Sequence, residues 1–216
     1  MCIRDSSHPL NSQTRTSLKF LKMKYNLDVA VASKPEWIEA VMNDFDKFLI
    51  DHADCERKAS AFSMGMVAKY PDRLEIIPEL IEIGIEELEH FQQVYELMQK
   101  KGINLPHKIE EDPYLKLLLK ICHSGRNERF LDRLLIGSIV ETRGAERFKM
   151  VADAQTDAEL ARFYKMLWVS EAKHGNVFVK MALNYFPEDQ VYDRLKWWVE
   201  REGEIIDNLP IRPALH

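Results

Sequence analysis

Apolar residues recur at steps of three and four along most of this chain, the period of helices buried along one face. The first such run carries Trp37, Val41, Phe45, Phe48, His52, Cys55, Ala59 and Phe62 and ends near Tyr70 and Pro71. It predicts a long helix opening at Ser33-Lys34-Pro35-Glu36, with Ser33 as cap and Glu36 reaching back to complete a capping box. Pro35 is tolerated because the first turn needs no N–H partner. A second helix is expected from about Pro78 to Lys101, stopped by Gly102, with Leu80, Ile83, Gly84, Phe91, Val94 and Met98 on one face. Residues 103–127 read as a connection containing a short helix, Tyr114 to Ile121, long enough to cross the end of a bundle. A third helix is expected near Glu128 to Ala154 and a fourth near Asp157 to Tyr185. A final amphipathic helix, about Glu188 to Asp207, has Leu195, Trp197 and Trp198 to bury. The fold class is therefore all-α: an antiparallel four-helix bundle with a long connection between helices 2 and 3 and an extra C-terminal helix.

Polar residues interrupt these greasy faces at matching places. Glu56 precedes Glu87-Leu88-Glu89-His90 by 31 residues, and Glu141 precedes Glu171-Ala172-Lys173-His174 by 30. Residues three apart on a helix share a face, so each Glu-x-x-His pair can aim a carboxylate and an imidazole at one point. Two such half-sites facing each other supply four carboxylates and two imidazoles, the ligand set of a carboxylate-bridged di-iron or di-manganese centre. Oxygen and nitrogen donors without thiolate suit those metals rather than structural zinc. In the expected geometry Glu87 and Glu171 bridge, Glu56 and His90 serve one metal, and Glu141 and His174 serve the other. The expected cofactor is a pair of iron ions, with dioxygen as co-substrate. Any one of these residues alone is more often a paired core residue than a ligand. Gathering all six without metal, however, would bury several carboxylates together, which desolvation and mutual repulsion oppose.

Neighbouring residues carry weaker signals. His52, four before Glu56, reads as a core histidine or as a partner of that carboxylate. Asp51 and Asp54 are candidates for orienting ligand imidazoles. Gly137, Ser138, Gly144 and Ala145 surround Glu141, and a glycine inside a helix costs about 1 kcal/mol relative to alanine. They leave room either for substrate or dioxygen beside the metal or for a close helix crossing.

The formal charge of -5 argues against a broadly basic, nucleic-acid-binding surface. Yet Lys and Arg outnumber Asp and Glu between Tyr114 and Lys180, so a local basic patch stays open. The three cysteines, Cys2, Cys55 and Cys122, form no metal motif and no disulfide scaffold, which fits a reduced, cytoplasmic setting. No apolar run is long enough for a membrane helix. Residues 1–22 lack both periodicity and the apolar core of a signal peptide and read as a disordered or non-native extension. Residues 23–216 read as a single domain.

Four stretches resemble one family closely: LIDHADCERKAS at Leu49–Ser60, IEELEHFQQV at Ile85–Val94, IVETRGAERF at Ile139–Phe148 and SEAKHGNVF at Ser170–Phe178. The family is MiaE, the ferritin-like di-iron hydroxylases of tRNA 2-methylthio-N6-isopentenyladenosine. The resemblance implies a ferritin-like domain and metal-ligand roles for Glu56, Glu87, His90, Glu141, Glu171 and His174. It implies oxygen-dependent hydroxylation of the isopentenyl side chain at position 37 of tRNA, with electrons from an external reductase or ferredoxin-like donor. Lys58, Arg143, Arg147 and Lys173 are then candidates for phosphate contacts. Three rivals stand beside it: a ferritin-like ferroxidase or iron-storage protein, a di-iron hydroxylase of another apolar substrate, and a metal-free helical adaptor. The oligomeric state is left open.

Overall fold

The computed structural model describes residues 28–108 and 111–216, and among them it contains seven α-helices and no strand. They are α1 (Pro35–Asn43), α2 (Phe45–Lys69), α3 (Ile77–Lys100), α4 (Pro113–Lys120), α5 (Arg126–Ala154), α6 (Ala158–Leu183) and α7 (Glu188–Asn208), with a 3-10 turn at Leu74–Ile76. The extension expected at residues 1–22 lies outside the described residues.

The long helix expected from Ser33 is two helices. Asp44 leaves helical geometry at φ -140° and ψ 62°, and its side chain accepts from the Lys47 N–H to cap α2. The capping box does not form either: Lys34 is the cap residue of α1, without a side-chain bond. Ser33 instead donates its N–H and its hydroxyl to Glu146 on α5, at 2.7 and 2.8 Å. A charged acceptor outcompetes a local bond here, since hydrogen bonds to ionised groups are about twice as strong.

Two hairpins make the bundle, α2 along α3 and α5 along α6. Arg126 at the start of α5 pairs with Asp72, and Arg73 donates to Asn127, so α5 begins at the end where α2 finishes and α3 starts. The connection carrying α4 therefore runs the length of the bundle instead of crossing one end. That places α5 antiparallel to α2 and gives the single long crossover of ferritin-like bundles. α7 packs outside, against α4, α5 and α6. Trp198 anchors it, fully buried with its indole N–H on Asp132 at 2.9 Å.

The apolar core is divided along the bundle axis. One part gathers Leu80, Phe130, Leu134, Phe178 and Trp198; the other gathers Trp37, Phe48, Phe148, Tyr164 and Leu167, with Leu49, Val94 and Met98 beside them. Full burial of side chains this size contributes roughly 1.5–3 kcal/mol each. A layer of buried carboxylates and imidazoles lies among these clusters, and the surrounding hydrophobic packing is what holds it in place.

Candidate metal centre

All six repeated residues meet in that layer. Glu56, on α2, is 3% exposed; Glu87 and His90, on α3, are 0% and 4%. Glu141, on α5, is 8% exposed; Glu171 and His174, on α6, are 3% and 0%. Their donor atoms fall into two overlapping sets, each within 4.8 Å: Glu56, Glu87, His90 and Glu171, and then Glu87, Glu141, Glu171 and His174. Glu87 and Glu171 belong to both. This is the layout of two ion positions sharing two carboxylates.

The atoms facing the centre fit a metal and fit little else. Both carboxylate oxygens of Glu87 and of Glu171, and Nδ1 of His90 and of His174, are buried without a hydrogen-bond partner. His174 Nδ1 comes within 2.7 Å of Glu87 Oε1, yet the pair lacks the alignment of a hydrogen bond. Buried polar atoms are seldom left unpaired, and six orphans gathered in one layer fit a site able to hold cations.

The electrostatics agree. Burial pushes Glu141 and Glu171 well above the carboxylate range, and repulsion adds to it, from Glu171 on the first and Glu87 on the second. Glu87 is raised as well, by burial and by the charge of Glu56. Glu56 goes the other way: its burial is outweighed by the hydrogen bond from His52 and by the nearby His90 imidazole, which hold it below its ordinary value. Burial disfavours charged imidazoles, but Glu56 and Glu87 hold His90 up at about 10, while Glu87 and Glu141 hold His174 at about 9. Without cations the cluster retains protons; divalent metal would displace them.

Support around the six residues differs from the sequence reading. Asp51 accepts from the Leu215 N–H, and Asp54 pairs with Arg57 and Lys58, so neither orients an imidazole. Glu86 does: its carboxylate lies 3.0 Å from His174 Nε2 and accepts from the Ser170 hydroxyl at 2.5 Å. These hydrogen bonds outweigh partial burial and hold Glu86 down at about 2. A visible signal existed, because Glu86 and Ser170 immediately precede the two repeated glutamates. His52 is the partner of Glu56, with Nε2 2.7 Å from Oε1. Arg143 and Arg147 are buried and cannot meet phosphates. Arg143 chelates Glu202 and also reaches Glu146; Arg147 donates to Ser33 and to the Leu215 carbonyl. Glu146 and the Val31 carbonyl share the Arg143 guanidinium with Glu202, so the buried cation is paired from more than one side.

A largely apolar cavity of about 80 Å³ abuts Glu141. Ala59 and Phe62 of α2, Leu115 and Leu119 of α4, and Ile136, Gly137 and Val140 of α5 line it, with Lys58 and Arg133 also on its wall. Gly137 faces the Phe178 ring, which a Cβ there would meet at 3.2 Å. A second close approach of the same two helices lies at Gly175, where a Cβ would meet the Thr142 hydroxyl at 2.9 Å. Gly144 borders the Glu171 side chain instead.

A four-helix bundle with one long crossover, holding four buried carboxylates and two imidazoles at its centre, defines a ferritin-like di-iron protein. The structure is similar to "Protein 43 with aldehyde deformylating oxygenase activity" from Synechococcus, with a TM-score of 0.82 and 28% identity, covering 87% of this chain and 94% of that one. The family model described as tRNA-(MS[2]IO[6]A)-hydroxylase (MiaE) matches residues 21–216, and the chain belongs to that family. A Pseudomonas putida tRNA 2-(methylsulfanyl)-N(6)-isopentenyladenosine(37) hydroxylase is 35% identical over 155 residues, 72% of this chain and 75% of that protein. The Salmonella typhimurium hydroxylase of the same name is 33% identical over 133 residues, 61% of this chain and 48% of that protein.

Proposed function

We propose that this protein hydroxylates the isopentenyl side chain of 2-methylthio-N6-isopentenyladenosine at position 37 of tRNA, as a non-haem di-iron monooxygenase. The observation that carries the reading is the apolar cavity ending at Glu141, one member of the six-residue cluster, in a chain of this family. Glu56 and His90 would hold one iron, Glu141 and His174 the other, with Glu87 and Glu171 shared. Two ferrous ions held there would supply dioxygen activation, in an overall reaction that takes up dioxygen, two electrons and two protons, places one oxygen atom in the C–H bond and releases the other as water.

The chain's own residues do the rest. A prenyl group is apolar and matches the lining of Phe62, Leu115, Leu119, Ile136 and Val140, which also excludes water from the reacting carbon. Gly137 lines the cavity beside Glu141, and its missing side chain makes room for the Phe178 ring. Glu86 and Ser170 orient the His174 ring, and His52 orients Glu56. Lys58 and Arg133 stand where the backbone of a bound tRNA could meet them, and few phosphate contacts would make affinity only modestly salt-dependent. Electrons would come from an external reductase or ferredoxin-like protein. No helix among the described residues is long and apolar enough to cross a membrane, and a tRNA substrate would be met in the cytoplasm.

The test is to incubate the reduced, iron-loaded protein with prenylated tRNA, dioxygen and an electron donor, then digest the tRNA and weigh its nucleosides. The expected result is a gain of one oxygen atom on the prenylated adenosine, absent with Glu56→Ala. Rapid consumption of ferrous ion with no change in nucleoside mass would transfer the case to a ferroxidase.

A further inference from the structure

The centre is built from two hairpins with matching ligands, yet the residues behind those ligands do not match. The 85-residue offset that carries Glu56 to Glu141 carries His52 to Gly137. The 84-residue offset that carries His90 to His174 carries Leu80 to Tyr164. His52 and Tyr164 touch one another across the bundle, with His52 Nδ1 3.3 Å from the Tyr164 hydroxyl and Nε2 2.7 Å from Glu56 Oε1. Both side chains are 0% exposed. Phe48 and Phe148 enclose the pair on further sides, with ring centroids 4.7 to 6.0 Å away. At the matching place in the other hairpin, Gly137 and Leu80 offer no hydrogen-bonding side chain, and the space beside Gly137 belongs to the cavity.

We propose that His52 and Tyr164 are positioning residues that pin Glu56 through one carboxylate oxygen, fixing that carboxylate and leaving carboxylate movement to Glu141. A carboxylate only accepts, so the Nε2–H of His52 donates to Glu56. Nδ1 of the neutral ring is then an acceptor, and the Tyr164 hydroxyl, the polar group facing it, donates. Tyr164 thereby sets the tautomer that His52 needs. Oε1 of Glu56 is engaged, and Oε2, which faces His90 Nδ1 at 3.7 Å, is the oxygen left for metal. Glu141 has no equivalent partner among the described residues and borders open space, so its carboxylate can change binding mode as substrate or dioxygen arrives.

This inference rests on the di-iron reading, and its test separates the two. Wild-type protein, His52→Leu, His52→Gln and Tyr164→Phe are loaded with iron anaerobically, and iron per chain, iron affinity, melting temperature and Mössbauer spectra are measured. Failure of the wild type to bind two irons would refute the di-iron reading itself. With two irons in the wild type, His52→Leu should weaken one iron at least tenfold, the usual effect of deleting a group that orients a ligand. His52→Gln, whose amide N–H can stand near the Nε2 position, should recover most of that loss. Tyr164→Phe should keep both irons and shift one iron signal while the other stays. Folded His52→Leu with wild-type affinity and spectrum overturns the proposal, as does His52→Gln performing no better than His52→Leu. Should His52→Leu fail to fold, Tyr164→Phe decides, since it deletes one oxygen from an aromatic enclosure: two unchanged iron signals in that variant overturn the proposal.

Discussion

The α2–α3 hairpin and the α5–α6 hairpin bring the same three ligand types to the centre, and each has its own arrangement behind them. In the first, Glu56 is braced by His52, and the surroundings are closed by aromatic rings. In the second, Glu141 is 8% exposed and borders a cavity, while support has moved to the imidazole, where Glu86 reaches across from α3 to His174. A duplicated ligand set thus yields an asymmetric site. The asymmetry lies in small residues and cross-hairpin hydrogen bonds, and it gives Glu56 and Glu141 different surroundings.

The largest effect should come from what the halves share. Glu171→Ala removes a carboxylate common to both ion positions, so iron should fall below one per chain by elemental analysis and hydroxylation should be lost. Two irons retained in that variant would break the shared-carboxylate layout. Next comes the apolar cavity beside Glu141. Gly137→Leu should push Phe178 and fill the cavity, cutting turnover of prenylated tRNA by a hundredfold or so while iron content stays near two per chain; the size follows from the sensitivity of catalysis to small misplacements. Loss of iron in step with turnover would show that Gly137 serves packing alone.

A smaller effect is expected from Glu86→Gln, which keeps the shape and removes the charge beside His174. Iron affinity should drop about tenfold, and an iron titration with Glu86→Gln and His52→Leu side by side would rank the two supports. The smallest effect concerns the metal-free protein. His90 and His174 have folded values of about 10 and about 9, above the ordinary 6.5. The stability they contribute is full below about 6.5 and is lost as pH rises through those values. Glu141 and Glu171, also raised, act with the same sign, because the folded chain holds protons that the unfolded chain has released. The melting temperature of chelated protein should therefore fall between pH 6.5 and 10, and added metal should flatten the slope by displacing those protons. A flat profile after chelation would mean that the imidazoles are not held by the carboxylates.

Much of this site was legible before any fold was known, for a definite reason. Glu87 and His90 are three residues apart on one helix, so their joint direction is a local property. The repetition of that pair at Glu171 and His174, each with its upstream glutamate, needed only the count of residues between them. The split at Asp44 was not legible, because Trp37 to Phe62 keeps its apolar period straight through the break. Ser33 was misread because its acceptor, Glu146, lies 113 residues away. Arg143 and Arg147 looked like surface cations until α7 and the C-terminal segment covered them with Glu202 and the Leu215 carbonyl.

Helical periodicity and ligand spacing are short-range facts, set by the 3.6-residue turn and by which side chains share a face; through them the sequence determined the helices, the two half-sites and the metal chemistry they suit. Which glutamate is braced and which borders the apolar cavity could come only from the tertiary structure. It depends on Tyr164 of α6 meeting His52 of α2, on Glu86 of α3 meeting His174 of α6, and on α4 lying along the bundle to roof the space beside Gly137. Each of these contacts joins elements far apart in the chain. Their geometry is settled by how whole helices pack, since no local pattern of residues encodes the partner that a side chain will find across the bundle.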